Sequence, residues 1–323
     1  MSTNMNSKTS HWPLVLSVLQ WFDSHSKHAR APGSQKKEVD WLRVLPFLGM
    51  HLGCLGIFWV GWSATAIVVA LTLYVVRMLA VTGFYHRYFS HKSFKTSRIA
   101  QFLFALAGAS AVQRGPLWWA SHHRHHHIHS DKAEDAHSPK QHGFWWSHVG
   151  WIVSKQNFSP KFDRIPDLVK FKELVWLDRF DVLVPVLLAV CLYLVGMALE
   201  THIPELQTTG GHMLVWGFFV STVFLYHATY TVNSLAHKFG SRRYKTNDDS
   251  RNSLLIALIT CGEGWHNNHH HYPGAVRQGF YWWEVDLTYY FLRLLSALGI
   301  IWDLKEVPEP LKYSRLHNGG VNA

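Results

Sequence analysis

Histidines recur in this sequence at spacings that suit metal binding. His86 and His91 stand five residues apart in HRYFSH, while His123, His126 and His127 occupy positions i, i+3 and i+4 of HRHHH. On a helix, residues at i, i+3 and i+4 share one face, so these imidazoles can point at a common centre. Because imidazole is the commonest metal-binding side chain, the spacing predicts a metal site.

A second group repeats this pattern far along the chain. His266, His269 and His270 have the same spacing in HNNHH, and Asn233 and His237 stand four residues apart in NSLAH. Eight or nine imidazoles are too many for one tetrahedral ion, so they suit two metals of higher coordination. Imidazole binds zinc, copper, iron and nickel about equally well, and these residues alone therefore leave the identity of the metal open.

Other polar side chains surround these positions. Three carboxylates are candidates for orienting the imidazoles, or alternatively for helix caps and surface charges: Asp131, Asp135 and Glu263. The extra histidines near the clusters are interpreted as supporting groups or as surface residues: His122, His125, His129 and His271. The isolated histidines are interpreted as structural or solvated: His51, His202 and His212.

The rest of the chain is typical of a membrane protein. Of its 323 residues, 48% are hydrophobic and only 16% charged, and its 24 histidines explain a mean hydropathy as low as −0.03. Four segments reach the roughly 20 apolar residues that a bilayer requires: Leu45–Trp62, Ala64–Phe84, Val182–Leu199 and Met213–Val232. Two shorter apolar stretches, Pro13–Phe22 and Ile99–Val112, are predicted to lie in the interface or to re-enter the membrane.

Lysine and arginine are distributed unevenly around these segments. All except Arg77 lie in the N-terminal tail, the central loop or the C-terminal region, and the short connections between paired spans carry none. By the positive-inside rule, both termini and every histidine cluster face the cytoplasm. The net charge of +10 is therefore interpreted as a topology signal, and nucleic-acid binding is not expected.

These features predict an all-α integral membrane protein, with four transmembrane helices and a cytoplasmic helical cap that carries the two-metal site. Residues 1–40 are expected to form a polar N-terminal tail with a candidate interfacial helix, and residues 306–323 a C-terminal tail. Residues 41–305 form the main domain, whose cytoplasmic parts are residues 85–181 and 233–305.

The histidine clusters resemble the histidine boxes of the membrane fatty acid desaturases, and the spacing of HRYFSH resembles the stearoyl-CoA (Δ9 acyl-CoA) type. Three further segments resemble the family in the right order: GFWWSHVGW, GEGWHNNHHHYP and WEVDLT. The resemblance extends from about residue 45 to residue 300. It implies that the main domain is an enzyme that uses O2 to desaturate a saturated fatty acyl chain, giving a cis monounsaturated chain and water.

The resemblance also implies site residues. A di-iron (Fe2+) centre is implied, with Asn233 contacting one iron through water and nine histidine ligands: His86, His91, His123, His126, His127, His237, His266, His269 and His270. Gln113, Trp119 and Thr229 match positions that bend the acyl tunnel of the family, which favours the Δ9 position. Tyr74 and Met78 are expected toward the closed end of this tunnel, where Met78 favours a shorter chain.

One position departs from the animal members of the family. Where they carry an Arg-Asp pair before the second box, this sequence has Ser121 and His122, although Lys155 still matches a basic headgroup position. Acyl-CoA is the first expectation for the carrier, ahead of a phospholipid or a carrier protein. No HPGG haem motif occurs, so electrons are expected from a separate donor of ferredoxin, rubredoxin or cytochrome b5 type.

Two alternatives compete with the interpretation as a desaturase. An unactivated methylene has no acidic proton and no leaving group, so its oxidation needs O2 chemistry at a metal. The same chemistry could return a hydroxyl group, which makes a membrane di-iron hydroxylase of an alkane or a lipid the nearest alternative. A more remote one is a non-enzymatic metal-binding or transport protein, but transport predicts ionisable residues within the spans, and only His51, Arg77 and His227 fit.

Overall fold

The computed structural model describes Val18, residues 21–25 and residues 37–317. Most of the interfacial helix expected at Pro13–Phe22 therefore lies outside the described residues. The regular structure within them is almost entirely helical, with a small sheet in which Lys95–Thr96 pairs antiparallel with Ile301–Trp302.

Four helical segments of the described chain are long and apolar enough to cross a membrane, as many as the sequence predicts. They are the first span Trp41–Val60, the second span Ala64–Ser90, the third span Leu183–His202 and the fourth span Gly210–Ser234. The side chains of Asp40 and Ser63 cap the starts of the first two spans by accepting hydrogen bonds from the backbone N–H groups of Arg43 and Ala66.

The second span extends further than the sequence predicts. Its predicted end is Phe84 because HRYFSH is polar, but the helix continues and widens into a buried π-helix over Ala80–Ser90. In a π-helix the backbone hydrogen bonds run from residue i to residue i+5, so each turn is wider than in an α-helix. The backbone N–H of His91 accordingly donates to the carbonyl oxygen of His86 at 3.2 Å.

The fourth span lies at the centre of the bundle and packs against each of the other three. Arg77 of the second span is 1% exposed and donates to the hydroxyl groups of Ser221 and Thr222 of the fourth span, at 2.5 and 2.7 Å. A charge inside a membrane is costly unless it is paired in this way. We therefore interpret Arg77 as a structural link between two spans.

The remaining helices of the described chain form the cap and the connections. The α-helices are Arg98–Ala109, Pro116–His129, Pro139–His142, Lys172–Arg179, Leu254–Ile259, His266–His271, Leu287–Ala297 and Glu309–Lys312. Short π- and 3₁₀-helices are Trp146–Gly150, Lys155–Asn157, Phe162–Arg164 and Pro204–Leu206. A core that includes the buried Phe84, Phe104 and Leu117 joins the cap to the second span.

Candidate metal centre

The first two predicted ligands, His86 and His91, lie at the π-helical end of the second span, where His91 directly follows the last helical residue. Because hydrogen bonds there join residues five apart, His86 and His91 come to the same face of the helix. Their rings lie 4.9 Å apart between centroids. The wide helical turn explains why this pair is spaced by five residues, whereas the later groups have α-helical spacing.

Two helices of the cap carry most of the other candidate ligands. The second-box helix, Pro116–His129, begins with a proline at a position where the missing N–H costs nothing, and it carries the HRHHH group. The short third-box helix, His266–His271, carries the HNNHH group. His237 lies in the turn that follows the fourth span.

Five histidines form one group, which we call the first histidine cluster: His86, His91, His123, His127 and His269. One ring nitrogen of each lies within 4.8 Å of those of the others. The Nε2 atoms of His91 and His123 are 2.8 Å apart, and those of His86 and His269 are 3.0 Å apart. Side chains from the second span and both box helices thus converge on one point.

Four more histidines form the second histidine cluster: His126, His237, His266 and His270. The Nε2 atoms of His237 and His266 are 3.0 Å apart, and those of His126 and His270 are 3.4 Å apart. The two clusters are adjacent, since the rings of His127 and His270 lie 4.5 Å apart between centroids. All nine histidines predicted as ligands therefore fall into two neighbouring groups.

The spacing of these nitrogens fits two metal ions. Two imidazole nitrogens that are about 2.1 Å from one ion and at right angles around it are about 3.0 Å apart. The Nε2 separations of 2.8 to 3.4 Å agree with that geometry. Burial lowers the pKa of His123, His127 and His269, so their imidazoles are neutral and keep the lone pair that a metal needs.

Carboxylates contact the far ring nitrogen, Nδ1, of several of these histidines. Asp131 contacts Nδ1 of His237 at 2.9 Å, and Asp135 contacts Nδ1 of His126 at 3.0 Å. Such a contact fixes the tautomer and orientation of the ring and makes Nε2 a stronger donor to a metal. Asp131 and Asp135, both predicted as candidates for orienting the imidazoles, therefore lie where they can do so.

Glu263, the third such carboxylate, belongs to a buried ionic network that was not predicted from the sequence. It contacts Nδ1 of His86 at 2.5 Å and Arg87 at 3.1 Å. Arg87 is 1% exposed and donates to both carboxylate oxygens of Asp286, at 2.9 and 3.1 Å. Two residues of the sequence could have indicated this network: the arginine inside HRYFSH and the aspartate inside WEVDLT. A charged side chain that becomes buried requires a partner of opposite charge.

Asp248 was not predicted from the sequence, because it lies outside the histidine boxes, 22 positions before His270 in the chain. Its Oδ2 atom contacts Nδ1 of His270 at 2.7 Å. Burial raises the pKa of Asp248, but the charge and hydrogen bond of His270 outweigh burial and hold the pKa below its usual value. The same balance lowers the pKa of Asp131 beside His237. Ionised carboxylates therefore face these imidazoles.

A cavity of about 720 Å³ leads from the first histidine cluster to the membrane spans, a volume within the usual range for ligand sites. Gln113, Trp119 and Thr229 all line it, beside His123 and Asn233. The Gln113 amide donates to the Thr229 hydroxyl at 3.0 Å. The Trp119 ring stacks on His123 with 4.9 Å between centroids. The three residues expected to bend an acyl chain are thus close together beside the cluster.

A smaller cavity of about 40 Å³ lies between the second and fourth spans and shares Trp119 and Thr229 with the large one. Met78 lines this cavity and is fully buried. Tyr74 does not line it, but packs in the same group of apolar side chains, and its hydroxyl donates to the carbonyl oxygen of Ile259. Met78 therefore faces a small cavity whose lining also includes His86, His126 and His266, and Tyr74 packs nearby.

The expected headgroup residue lies elsewhere. Lys155 is 49% exposed, pairs with Glu38 at 3.3 Å, and is not among the residues that line the large cavity.

Four histidines next to the boxes belong to neither histidine cluster: His122, His125, His129 and His271. His271, for example, contacts the carbonyl oxygen of Leu311 at 2.8 Å.

Comparison with known proteins agrees with this site. A family model described as fatty acid desaturase matches residues 61–296. An sn-1 stearoyl-lipid 9-desaturase of Anabaena variabilis is 37% identical over 84% of this chain and 96% of that protein. An acyl-CoA 5-desaturase of Anemone leveillei is 36% identical over 83% of each chain. An sn-2 palmitoyl-lipid 9-desaturase of Nostoc sp. (strain 36) is 35% identical over 81% of this chain and 89% of that protein.

Proposed function

The chain belongs to the fatty acid desaturase family, and from this premise we propose that it is a Δ9 desaturase with a pair of iron ions. It converts a saturated fatty acyl chain to the cis monounsaturated form, with O2 as the oxidant. The observation that carries the proposal is that the first of two adjacent histidine clusters contributes His123 to the wall of a cavity of about 720 Å³. An acyl chain in that cavity passes directly beside the first cluster.

The reaction needs a redox metal because a methylene offers no proton or leaving group to an acid or a base. When bound, the iron pair supplies the chemistry with O2 that removes hydrogen from such a carbon. Each turnover takes two hydrogen atoms from the chain, and two electrons and two protons from outside, and O2 becomes two molecules of water. The electrons come from a separate donor of ferredoxin, rubredoxin or cytochrome b5 type.

The residues of the chain hold and shape the substrate. The hydrogen-bonded pair of Gln113 and Thr229, with Trp119 across from it, bends the acyl chain beside the first histidine cluster. A bent chain presents two neighbouring methylenes in the conformation that leads to a cis double bond. Asp131, for example, keeps His237 in place during turnover.

We also infer that the cap faces the cytoplasm, with both chain termini on that side. Every Lys and Arg except Arg77 lies in the tails, the central loop, the C-terminal region or, as Arg43 and Arg87 do, at the cap-side end of a span. A soluble or membrane-bound electron donor then reaches the metal centre from the cytoplasm. For the acyl carrier, the resemblance favours acyl-CoA, whereas the names of the relatives include both lipid-bound and CoA-bound chains.

The test is expression in a host that lacks unsaturated fatty acids, followed by analysis of its total fatty acids. We expect a new monounsaturated chain with the double bond between carbons 9 and 10. A hydroxylated chain would instead identify a hydroxylase, and unchanged lipids in cells that contain the iron-loaded protein and a working donor would refute the proposal.

A matched pair of variants tests the ligand assignment. His266→Ala removes a member of the second histidine cluster and is expected to abolish the new chain and to lower the iron content of the purified protein. His271→Ala removes a neighbouring histidine outside both clusters and is expected to retain activity and iron. Retained turnover in His266→Ala would show that the assignment is wrong.

A further inference from the structure

The large cavity opens sideways between the first and third spans. Leu45 and Pro46 line it on one side, and Val186 and Val190 on the other. Leu45, Val186 and Val190 are 52%, 48% and 50% exposed, so the described part of the chain does not close this side. Both spans pack against the fourth span, whose buried Phe218 lines the cavity between them, but they hardly contact each other.

The opening lies at the depth of lipid tails. Leu45 is near the start of the first span and Val190 is in the third turn of the third span. At 1.5 Å per residue, the opening lies about 6 to 11 Å below the cap ends of these helices. Since the tail region of a bilayer is about 30 Å thick, this depth corresponds to the tails of the leaflet next to the cap.

A polar rim lies above the opening. Arg43, Arg114, Asp181 and Ser24 line the cavity where the spans meet the cap. Asp181 accepts hydrogen bonds from Arg114 at 2.8 Å and from Ser24 at 2.9 Å. The level of this rim is that of lipid headgroups and ester groups, where arginine is favoured. An apolar slot beneath a polar rim matches the two parts of a glycerolipid.

The rim does not resemble a site for coenzyme A, whose phosphates carry several negative charges. Its two arginines are offset in part by Asp181, which pairs with Arg114, and by Asp40, which pairs with Arg43 at 3.2 Å. Lys155, the matched headgroup position, pairs with Glu38 and does not line the cavity. These ion pairs leave a small net charge, which suits a zwitterionic or singly charged lipid.

The geometry points to a substrate whose acyl chain remains esterified to a membrane glycerolipid, and which enters the cavity sideways between the first and third spans. The inference rests on the proposed desaturase function and names its substrate class. The chain slides between Val186 and Leu45 toward Thr229, while the glycerol and headgroup stay at the rim beside Arg43 and Arg114. The lipid therefore never leaves the membrane.

The experiment uses membranes of a host in which the protein produces monounsaturated chains, so that a working electron donor is present. The membranes receive phosphatidylcholine with a deuterated sn-1 stearoyl chain and a 13C-labelled glycerol, together with stearoyl-CoA that carries a different label. We expect a monounsaturated lipid that keeps both the deuterium and the 13C label, because its ester bond was never cleaved. Label that appears first in monounsaturated acyl-CoA would overturn the inference but leave the desaturase function intact. Conversion of neither substrate would count against both.

Two tryptophan variants test the side opening. Val186→Trp narrows the opening and is expected to lower desaturation of the doubly labelled lipid by about tenfold or more, with unchanged iron content. Leu187→Trp is the matched control, because Leu187 is 57% exposed on the same helix and does not line the cavity. Equal rates in Val186→Trp and the unmodified protein would contradict the proposed route, as would equal losses in both variants.

Discussion

Individual carboxylates orient the imidazole rings of this site. Asp248 and Asp131 each contact the Nδ1 atom of a histidine whose Nε2 atom points into the second cluster. Each pair comes from distant parts of the sequence, so a ring is oriented only when the whole cap has folded. We therefore expect the loss of such a carboxylate to lower the affinity for the metal more than it lowers the stability of the fold.

Asp248→Asn tests this contribution. The amide keeps the size of the side chain and an acceptor oxygen for His270, but it removes the negative charge that makes the imidazole a stronger ligand. We expect iron affinity to fall about 10- to 100-fold, as for other carboxylates behind ligand histidines. Titration of the iron-free protein with ferrous ion measures the change.

Asp303→Asn is the control for this variant, because Asp303 is 59% exposed and pairs only with Lys95 among the residues described. Its iron affinity should equal that of the unmodified protein. If Asp248→Asn also bound iron with unchanged affinity, the contact between Asp248 and His270 would have no role at the metal centre.

At the scale of secondary structure, the fourth span sets the position of the bend in the cavity. Thr229 accepts the hydrogen bond of Gln113 there, and one turn further along Asn233 lines the same wall. Thr229→Val removes the hydroxyl and leaves the Gln113 amide without this partner, so the bend is held less firmly. We expect products with the double bond at more than one position, measured by mass spectrometry of derivatised fatty acids.

Two further variants serve as controls for Thr229→Val. Thr229→Ser restores the hydroxyl and should restore a single product. Thr231→Val removes a hydroxyl from the same helix that, among the described residues, donates to the carbonyl of Ala228, and it should leave the position of the double bond unchanged. A single, unshifted product from Thr229→Val would show that this hydrogen bond does not set the position.

The second span carries Met78, which lines the small cavity. Met78 is fully buried against the cavity of about 40 Å³, so a smaller side chain there should lengthen the space available to the methyl end of the substrate. We expect Met78→Ala to shift the products toward longer chains, measured by gas chromatography, and to cost about 2–5 kcal/mol of stability. Met197→Ala, at a residue 46% exposed on the third span, is the control. An unchanged product distribution in Met78→Ala would mean that the chain ends elsewhere.

At the scale of the whole molecule, the metal centre joins segments that are far apart in the chain. The second span, both box helices and the turn after the fourth span each contribute histidines to the two clusters. Metal binding to such a set stabilises the folded state over the unfolded one. The cap and the span ends should therefore unfold more easily without metal.

Chelation tests this coupling. We expect removal of iron from the purified protein to lower its Tm, by an amount that corresponds to about 4 kcal/mol if iron is present at 1,000 times its Kd. Readdition of ferrous ion should restore the Tm. The His266→Ala variant should start from a lower Tm and respond less to the chelator. A chelator-independent Tm in the unmodified protein would contradict a metal that links these segments.

Much of this protein could be predicted from local patterns in the sequence. The four spans follow from runs of apolar residues, and the second span was misjudged only at its end, where polar HRYFSH is buried in a π-helix. The candidate ligands follow from spacing and from the family resemblance, since helical geometry is a local property. Local patterns could not identify Asp248 or the pairing of Arg87 with Asp286, because each contact joins residues that are distant in the chain.

From the sequence alone it follows that this is a helical membrane protein of the desaturase family with four groups of spaced polar residues, most of them histidines. Only the tertiary structure decided how the nine histidines divide into clusters of five and four, which carboxylates orient them, and where the cavity opens. The physical reason is the range of the interactions involved. Hydropathy and helical spacing act between near neighbours in the chain, whereas a metal centre and a cavity wall exist only where separate helices meet.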